Sequence, residues 1–407
     1  MKRWISFALA FCLALGVTGC GGQDTPGASQ EAGASYTYEY QGMAGPETAQ
    51  LDLGEDGSCR FCLPGHPVIT DVYVGTYTRE GNEVTLSGLT NQDPNAQHPA
   101  PGLWPWIVDG GAVVTVDDGT GTFVPAEGES AGQAENSETV TAAYADGSPS
   151  QVCDIYPAEG EGQAPVIVLI HGGGFMFGDA KMPLIQPVIQ AALARGYAVV
   201  SVDYRKSGEA VFPAAVADVK AAVRFVKANA AEYGFDSERI AVWGESAGAY
   251  LALMTALTPD VPELNGDVSA NADVSSAVKA LVSFYAPVEF YTLYEEAGAP
   301  QMAAESFESK FLGSDITADK EATYTTYWET YAQQLPADVK AWIQAGDSDS
   351  KVPYTQSEHF AQRLAGYLGE ESVTYSLLPG ADHEDAQFYT EENLTAVLDW
   401  LDGVWEE

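Results

Sequence analysis

The sequence is poor in basic residues. Its 407 residues include 18 lysines and arginines against 58 aspartates and glutamates, which gives a formal net charge of -40 at pH 7. A surface this negative repels phosphate groups, so a nucleic-acid partner is not expected. The same charge predicts weak binding of anionic substrates unless basic groups cluster locally.

Cysteine is also scarce, and the five cysteines do not make a metal-binding motif. Cys59 and Cys62 have the C-x-x-C spacing, but the sequence lacks a second C-x-x-C to complete a zinc site. The surrounding segment lacks the βαβ pattern of thioredoxin-like redox sites. A local disulfide and free thiols both remain open for this pair. The sequence contains no phosphate loop, dinucleotide fingerprint or H-E-x-x-H, so no metal or organic cofactor is expected.

The apolar run near the N-terminus is too short to span a membrane comfortably. Residues 4–17 follow two basic residues and precede small residues and Cys20. This pattern predicts a signal peptide over residues 1–19. The four residues that end at Cys20 resemble a bacterial lipobox, which implies that Cys20 is lipidated. The protein would then be anchored in the cell membrane, outside the cytoplasm, while an ordinary secretory signal is the alternative.

Composition divides the rest of the chain into four segments. Residues 20–35 are rich in Gly, Ser and Ala and predict a flexible tether, and residues 126–138 predict an acidic linker. Residues 36–125 alternate short β-type runs with turn signals, which predicts a small all-β domain, either a sandwich or a barrel. Residues 139–407 have a different pattern and predict an α/β domain.

Within residues 139–407, continuous apolar runs alternate with stretches of helical periodicity. Such runs are typical of parallel strands that are buried on both faces. Strands are predicted at 166–170, 197–202, 239–243, 278–284, 339–345 and 373–378. Helices are predicted at 184–195, 216–226, 247–257 and 394–404. The alternation indicates a doubly wound, mostly parallel sheet with helices on both faces.

Ser246 lies at the centre of Gly244-Glu245-Ser246-Ala247-Gly248, which fits G-x-S-x-G. The motif follows a predicted strand and precedes a predicted helix, which is the context of a nucleophile elbow. The glycines allow a sharp turn that neighbours with side chains would obstruct. Ser246 is therefore the candidate nucleophile.

A second glycine motif, His171-Gly172-Gly173-Gly174-Phe175, follows the 166–170 strand. A glycine run can expose successive N–H groups that hold an oxyanion. Together with Asp203-Tyr204-Arg205 and the serine motif, it resembles the esterases and lipases related to hormone-sensitive lipase and to bacterial acetyl or feruloyl esterases. The resemblance covers residues 140 to the C-terminus and implies an α/β-hydrolase fold. It also implies an oxyanion hole from the N–H groups of Gly173, Gly174 and Ala247, with structural roles for His171 and for residues 203–205.

The resemblance implies the chain order serine, acid, histidine. Of the two histidines after Ser246, His359 lies in a predicted helix, whereas His383 lies in a loop after a strand, where a catalytic base is expected. Residues 346–353 resemble the family's G-x-x-D-x-x-V-P turn, which selects Asp349 as the acid. Asp347 is the alternative.

These residues predict a Ser-His-Asp carboxylic-ester hydrolase that needs no cofactor. Short-acyl or acylated-carbohydrate esters are the expected substrates. Two alternatives remain. One is a serine peptidase related to prolyl oligopeptidase, although residues 36–125 are too short to form the propeller domain that usually accompanies that class. The other is a non-catalytic binding protein. Phe175, Phe177, Phe284 and Tyr285 could line the substrate pocket or belong to the core. Residues 286–335 could form a cap over the site.

Overall fold

The computed structural model describes residues 34–42, 45–54, 56–64, 70–91, 112–117, 122–125, 139–160 and 162–406. The predicted signal peptide, the lipidation site at Cys20 and the predicted linker at 126–138 lie outside the described residues. In the part of the chain that the structure describes, no helix is long and apolar enough to cross a membrane.

The first domain is a small antiparallel barrel, which decides between the two predicted β architectures. Its strands are β1 (Ala34–Gly42), β2 (Gly45–Leu53), β3 (Ser58–Pro64), β4 (Thr70–Glu80), β5 (Glu83–Asn91), β6 (Ala112–Asp117) and β7 (Thr122–Pro125). Consecutive strands pair antiparallel, and β1 closes the barrel against β7 through the parallel pair Thr37 and Thr122. Leu51 and Leu53 are buried while Asp52 between them is partly exposed, because successive side chains of a strand point to opposite faces.

Cys59 in β3 and Cys153 in the second domain are buried free thiols. The sulfur of Cys59 lies 3.5 Å from the carbonyl oxygen of Thr76. Burial raises the pKa of Cys59 to about 11 and the pKa of Cys153 to about 12. Both thiols are therefore protonated near neutral pH and are poor nucleophiles.

The second domain is built on a twisted sheet to which the described residues contribute eight strands. They are β8 (Val140–Ala143), β9 (Val152–Tyr156), β10 (Ala164–Ile170), β11 (Ala198–Val202), β12 (Phe235–Glu245), β13 (Ala280–Phe284), β14 (Lys340–Gly346) and β15 (Val373–Leu378). The order is β15-β14-β13-β12-β10-β11-β9-β8, and the strands from β15 to β11 pair parallel. The edge strands β9 and β8 pair antiparallel. The predicted mostly parallel sheet is confirmed.

Helices connect these strands. The α-helices are α1 (Gln186–Ala194), α2 (Ala214–Ala228), α3 (Ala230–Tyr233), α4 (Ala247–Leu257), α5 (Phe290–Glu296), α6 (Phe307–Leu312), α7 (Lys320–Thr325), α8 (Tyr354–Leu368) and α9 (Glu391–Glu406). Shorter 3₁₀ helices span Pro183–Ile185, Pro262–Asn265, Pro300–Glu305, Trp328–Gln334, Glu370–Ser372 and Ala386–Tyr389. The predicted helix at 247–257 coincides with α4. The helix predicted at 184–195 is instead a 3₁₀ turn followed by α1.

The sheet separates two apolar cores. Val168 and Ile170 of β10 pack with residues of α2, α4 and α8 on one face. Ile167 and Leu169 of the same strand pack with α1 and α9 on the other face. All four side chains are buried, which explains why β10 reads as a continuous apolar run and not as an alternating one.

The segment between β13 and β14 contains residues 286–335, which could form a cap over the site. It folds as α5, α6 and α7 with two 3₁₀ helices. Gln356, buried at the start of α8, ties this segment down, because its side-chain oxygen accepts the N–H groups of Val288 and Glu289 at 3.2 and 2.7 Å. An aromatic cluster joins the segment to the rest of the domain, because Phe290 of α5 and Phe311 of α6 contact Phe175 of the glycine loop, and Phe290 also contacts Tyr250 of α4.

Candidate active site

Ser246 lies on a tight turn between β12 and α4. Its backbone has φ 51° and ψ -123°, a conformation that is strained for a residue with a side chain. A Cβ atom on Gly244 would lie 2.2 Å from the carbonyl oxygen of Gly248, and one on Gly248 would lie 2.1 Å from that of Ile170. Both flanking glycines are therefore required by close backbone approach, as the G-x-S-x-G pattern predicts.

His383 and Asp349 reach Ser246 from loops that follow β15 and β14. The Nε2 atom of His383 lies 2.9 Å from the Oγ of Ser246, and its Nδ1 lies 2.7 Å from the Oδ2 of Asp349. The neighbours assign the tautomer: Nδ1–H donates to the carboxylate, and Nε2 accepts from the serine hydroxyl. The structure brings together the three residues that the sequence selects.

The surroundings hold this series rigid. The side chains of His383 and Asp349 are 3% and 0% exposed. The second oxygen of Asp349 accepts the N–H groups of Lys351 and Val352 at 2.9 and 2.7 Å. Burial of the imidazole opposes its charged form, but the adjacent Asp349 carboxylate outweighs this effect and raises the pKa of His383 above its ordinary value. The arrangement thus stabilises an imidazolium at this position.

Asp347 and His359 do not join this group. The carboxylate of Asp347 accepts the N–H of Gly380 at 2.6 Å and the hydroxyl of Ser348 at 3.0 Å, and its side chain is exposed. The bond from Gly380 connects the loop after β14 with the loop after β15, so Asp347 braces the loop that carries His383. His359 is exposed on α8.

The glycine loop after β10 faces the serine turn. Gly173 and Gly174 have φ 98° and 58°, in the region that favours glycine. The carbonyl of Gly173 accepts the N–H groups of Met176 and Phe177 at 3.1 and 3.0 Å, which makes a tight turn. The structure assigns no protein acceptor, among the residues that it describes, to the N–H groups of Gly173, Gly174 and Ala247. Such N–H groups can bind an anion.

His171 braces this loop. Its Nδ1 lies 2.7 Å from the carbonyl oxygen of Gly172, and its Nε2 lies 3.1 Å from the Nζ of Lys206. The ring stacks on Tyr204 with centroids 4.6 Å apart. Burial and the neighbouring Lys206 lower the pKa of His171, so the neutral ring donates from Nδ1 and accepts at Nε2. These contacts are internal to the protein, as the predicted structural role requires.

Arg205 anchors the turn after β11. Its guanidinium makes a bidentate contact with Asp218, with Nη2 to Oδ1 at 2.8 Å and Nε to Oδ2 at 2.9 Å. A second bidentate contact joins it to Asp267. Such paired contacts fix the guanidinium plane, so Arg205 supports the loop.

A buried acidic network beside the serine was not predicted. Glu245 is 2% exposed, and its carboxylate accepts the N–H of Gly172 at 2.7 Å and the hydroxyl of Tyr285 at 3.0 Å. The hydroxyl of Tyr285 also contacts that of Tyr389. Burial, together with the charge of Glu384, raises the pKa of Glu245 to about 7. The sequence signal was the Glu inside G-x-S-x-G, but its partners are 40 to 73 positions away.

The candidate pocket aromatics divide into core and surface. Phe175, Phe284 and Tyr285 are buried, so the core alternative holds for these three. Phe177 is half-buried and contacts the ring of Phe307 edge-on at 5.9 Å. A Cβ atom on Gly174 would lie 2.7 Å from that ring. Phe307, which the sequence did not single out, therefore packs directly on the glycine loop.

Comparisons with known proteins identify the family to which the chain is similar. The chain matches the family described as BD-FAE over residues 153–364. It is 30% identical over 248 residues to "Esterase LipQ" of Mycobacterium tuberculosis, an alignment that covers 59% of this chain and 55% of LipQ. The chain spans about half the length of the curated relatives it matches.

Solved structures resemble the fold. "Truncated form of carbohydrate esterase from gut microbiota" has a TM-score of 0.60 at 24% identity and covers 67% of this chain and 97% of its own. "Bifunctional GH43-CE Bacteroides eggerthii" has a TM-score of 0.60 at 20% identity and covers 92% of this chain and 56% of its own. At these identities the likeness shows the fold, and the predicted α/β-hydrolase class with a preceding small β domain is confirmed.

Proposed function

The chain belongs to the BD-FAE family, and from this membership we propose that it is a carboxylic-ester hydrolase with Ser246 as nucleophile. His383 is the general base and Asp349 orients it. The observation that carries the proposal is the unbroken series from Asp349 through His383 to Ser246, with contacts of 2.7 and 2.9 Å. Each contact is within the range for proton transfer between positioned groups.

The first half-reaction acylates the enzyme. Nε2 of His383 accepts the hydroxyl proton while Oγ of Ser246 attacks the ester carbonyl carbon. Asp349 stabilises the imidazolium, in keeping with the raised pKa of His383. The tetrahedral intermediate collapses when His383 returns the proton to the alcohol oxygen, which breaks the bond between that oxygen and the acyl carbon. Alcohol leaves and an ester of Ser246 remains.

The second half-reaction restores the enzyme. Water gives one proton to His383 and attacks the acyl carbon. The second intermediate collapses when His383 returns that proton to Oγ of Ser246, which breaks the bond between Oγ and the acyl carbon and releases the carboxylic acid. In both intermediates the oxyanion accepts from the N–H groups of Gly173, Gly174 and Ala247. One such donor contributes about 3 kcal/mol to stabilisation of the transition state. The absence of protein acceptors for these N–H groups among the described residues supports this role.

The substrates are neutral esters with a small acyl group, including acylated carbohydrates. The net charge of -40 disfavours anionic esters. The half-buried rings of Phe177 and Phe307 beside Gly174 present an apolar wall near the proposed oxyanion site. The fold neighbour named as a carbohydrate esterase supports the inclusion of acylated carbohydrates among the proposed substrates.

The proposed site of action is the outer surface of the cell membrane, with a lipid at Cys20. The support is the sequence pattern of residues 1–20, in which a basic start and an apolar run precede a cysteine. In bacterial cells that process lipoproteins, the wild-type protein should fractionate with membranes and carry a lipid mass at Cys20. A Cys20→Ser variant should lose both, and a mature N-terminus elsewhere would remove the anchor from the proposal.

The test of the activity is a substrate screen. Initial rates are measured on p-nitrophenyl acetate, butyrate and octanoate, on acetylated xylose and feruloylated arabinose, and on a proline-containing peptide anilide. The wild-type protein should hydrolyse the short esters, and Ser246→Ala should lose at least about 10⁴-fold in kcat. Hydrolysis of the anilide alone would favour the peptidase alternative, and no hydrolysis of any ester would favour a binding protein.

A further inference from the structure

Glu245 links the serine turn to the glycine loop. Its carboxyl oxygen Oε1 accepts the N–H of Gly172 at 2.7 Å, although the two residues are 73 positions apart. We infer that Glu245 is a positioning residue, whose contact with Gly172 holds the N–H groups of the glycine loop in place to receive the oxyanion. This inference rests on the proposed esterase function and adds to it a residue outside the Ser-His-Asp group.

The contact joins the two loops at the position where displacement would matter most. Glu245 immediately precedes the nucleophile Ser246, and Gly172 immediately precedes Gly173, one of the proposed oxyanion donors. This hydrogen bond therefore connects the turn that carries the nucleophile directly to the loop that carries the donors. Displacement of reacting groups by about 1 Å can cost about 10²-fold in rate.

A side chain at position 172 would crowd Glu245. A Cβ atom on Gly172 would lie 2.9 Å from Oε1 of Glu245 and 3.0 Å from its carbonyl oxygen. The φ of Gly172 is not in the left-handed region, so backbone conformation does not explain why a glycine is present at this position. The close contact with Glu245 explains it.

The other carboxyl oxygen is held from the opposite side. Oε2 of Glu245 accepts the hydroxyl of Tyr285, which contacts the hydroxyl of Tyr389. Either tyrosine can donate in that second contact. If Glu245 binds a proton on Oε2, it can donate to Tyr285, which then donates to Tyr389. Oε1 accepts from Gly172 in both states, so the positioning contact requires an acceptor and not a charge.

A glutamine keeps this acceptor and a methionine removes it. In Glu245→Gln, the amide oxygen can accept from Gly172 while the amide nitrogen donates to Tyr285. In Glu245→Met, a side chain of similar length leaves the N–H of Gly172 without a partner. The matched control is Asp154→Leu, which replaces a buried carboxylate of β9 that is 3% exposed and hydrogen-bonded to Thr141.

The experiment compares the full-length variants by kcat and KM on p-nitrophenyl acetate, by the inhibition constant of a phenylboronic acid, and by thermal unfolding. The boronate forms a tetrahedral adduct with serine, so its affinity reports the oxyanion donors. Glu245→Gln should stay within a few-fold of wild type. Glu245→Met should lose about 10²-fold in kcat with little change in KM, and boronate affinity should fall in the same ratio as kcat/KM. Asp154→Leu should lower only the unfolding temperature.

Three results would overturn the inference. In the first, Glu245→Met keeps wild-type kcat. In the second, its boronate affinity is unchanged while kcat falls, which means loss of folded protein only. In the third, Glu245→Gln is as impaired as Glu245→Met, which means that the charge matters and not the acceptor.

Two further variants keep the test decisive. If Glu245→Met does not fold, Gly172→Ala perturbs the same contact from the loop and should lower kcat and boronate affinity together, and unchanged values would count against the inference. Ser246→Ala, measured in the same assays, distinguishes failure of the positioning role from failure of the esterase function. If it is inactive while the Glu245 results contradict the prediction, the esterase function stands and only the positioning role is lost.

Discussion

The buried carboxyl group of Glu245 should make the stability of this protein depend on pH. Its pKa is raised from 4.5 to about 7, with burial as the first cause and Glu384 as the second. A raised pKa means that the folded protein holds the proton more tightly than the unfolded chain does. The resulting stabilisation is complete below pH 4.5 and is lost as the pH rises through about 7.

The size of this loss follows from the shift. A change of one pKa unit corresponds to about 1.4 kcal/mol, so the rise from 4.5 to about 7 corresponds to about 3 kcal/mol between the two limits. Between pH 5 and pH 8 most of this change occurs, about 2–3 kcal/mol. The glutamine of Glu245→Gln cannot ionise, so this variant does not lose that stability as the pH rises. For a domain of this size, the gap in Tm between variant and wild type should widen by about 5–10 °C over that range.

The assay is thermal or urea unfolding of both proteins at a series of pH values, followed by tryptophan fluorescence. All other titrating groups are common to the two proteins, so the difference in unfolding free energy isolates position 245. Tyr285→Phe removes the donor to Oε2 and should move the loss to higher pH, because the ionised carboxylate loses a hydrogen bond. A difference in unfolding free energy between Glu245→Gln and wild type that stays constant from pH 5 to pH 8 would mean that Glu245 does not titrate in this range.

Three further results are expected. Asp349→Asn should lower kcat by about 10³- to 10⁴-fold because it disturbs the tautomer of His383. Asp347→Asn should lower kcat by less than about tenfold, since Asp347 only braces a loop. The reverse order of effects would identify Asp347 as the acid. The kcat/KM of the wild type should rise with pH through a midpoint above 6.5, where His383 loses its proton, and Asp349→Asn should shift that midpoint downward. Gly174→Ala should lower kcat because a Cβ atom there lies 2.7 Å from the ring of Phe307. Adding Phe307→Ala should restore part of the lost kcat. If kcat does not recover, backbone strain at position 174 and not the contact with Phe307 causes the loss.

Local sequence patterns were sufficient to predict the parallel sheet. The strand predicted at 166–170 lies within β10, because residues buried on both faces must all be apolar. The helix at 247–257 matches α4 because the serine turn fixes where it begins. The antiparallel edge strands β8 and β9 were not predicted. The pairing of β9 with β11 joins residues more than 40 positions apart, and β8 has only four residues, too few to show a periodic pattern.

Closure of the barrel and the fold of the segment between β13 and β14 could not be predicted, because the first depends on a long-range contact and the second lacks a periodic apolar pattern. Turn signals indicated short β-strands, but closure of the barrel through Thr37 and Thr122 is a contact across 85 positions of the printed sequence. The segment between β13 and β14 contains helices of six and seven residues. Helices this short do not repeat an apolar pattern often enough to be distinguished from loops.

At the site, the order of residues along the chain limited the candidates for the catalytic acid and base. The paths of the loops in the structure then distinguished among those candidates. Asp347 and Asp349 are two residues apart, and only the structure shows that Asp347 turns to Gly380 while Asp349 turns to His383. Glu245 was visible within its motif, but its contact with Gly172 follows from the packing of two distant loops. Local sequence alone could not assign that contact.

If Ser246 is a nucleophile activated by His383, a fluorophosphonate should label it covalently, and mass spectrometry of the digested protein locates the label. One adduct is expected, on the peptide that contains Ser246; it should be absent from Ser246→Ala and form much more slowly in His383→Ala. Labelling of another residue, or equal labelling of the Ser246→Ala protein, would contradict the role of Ser246 as nucleophile.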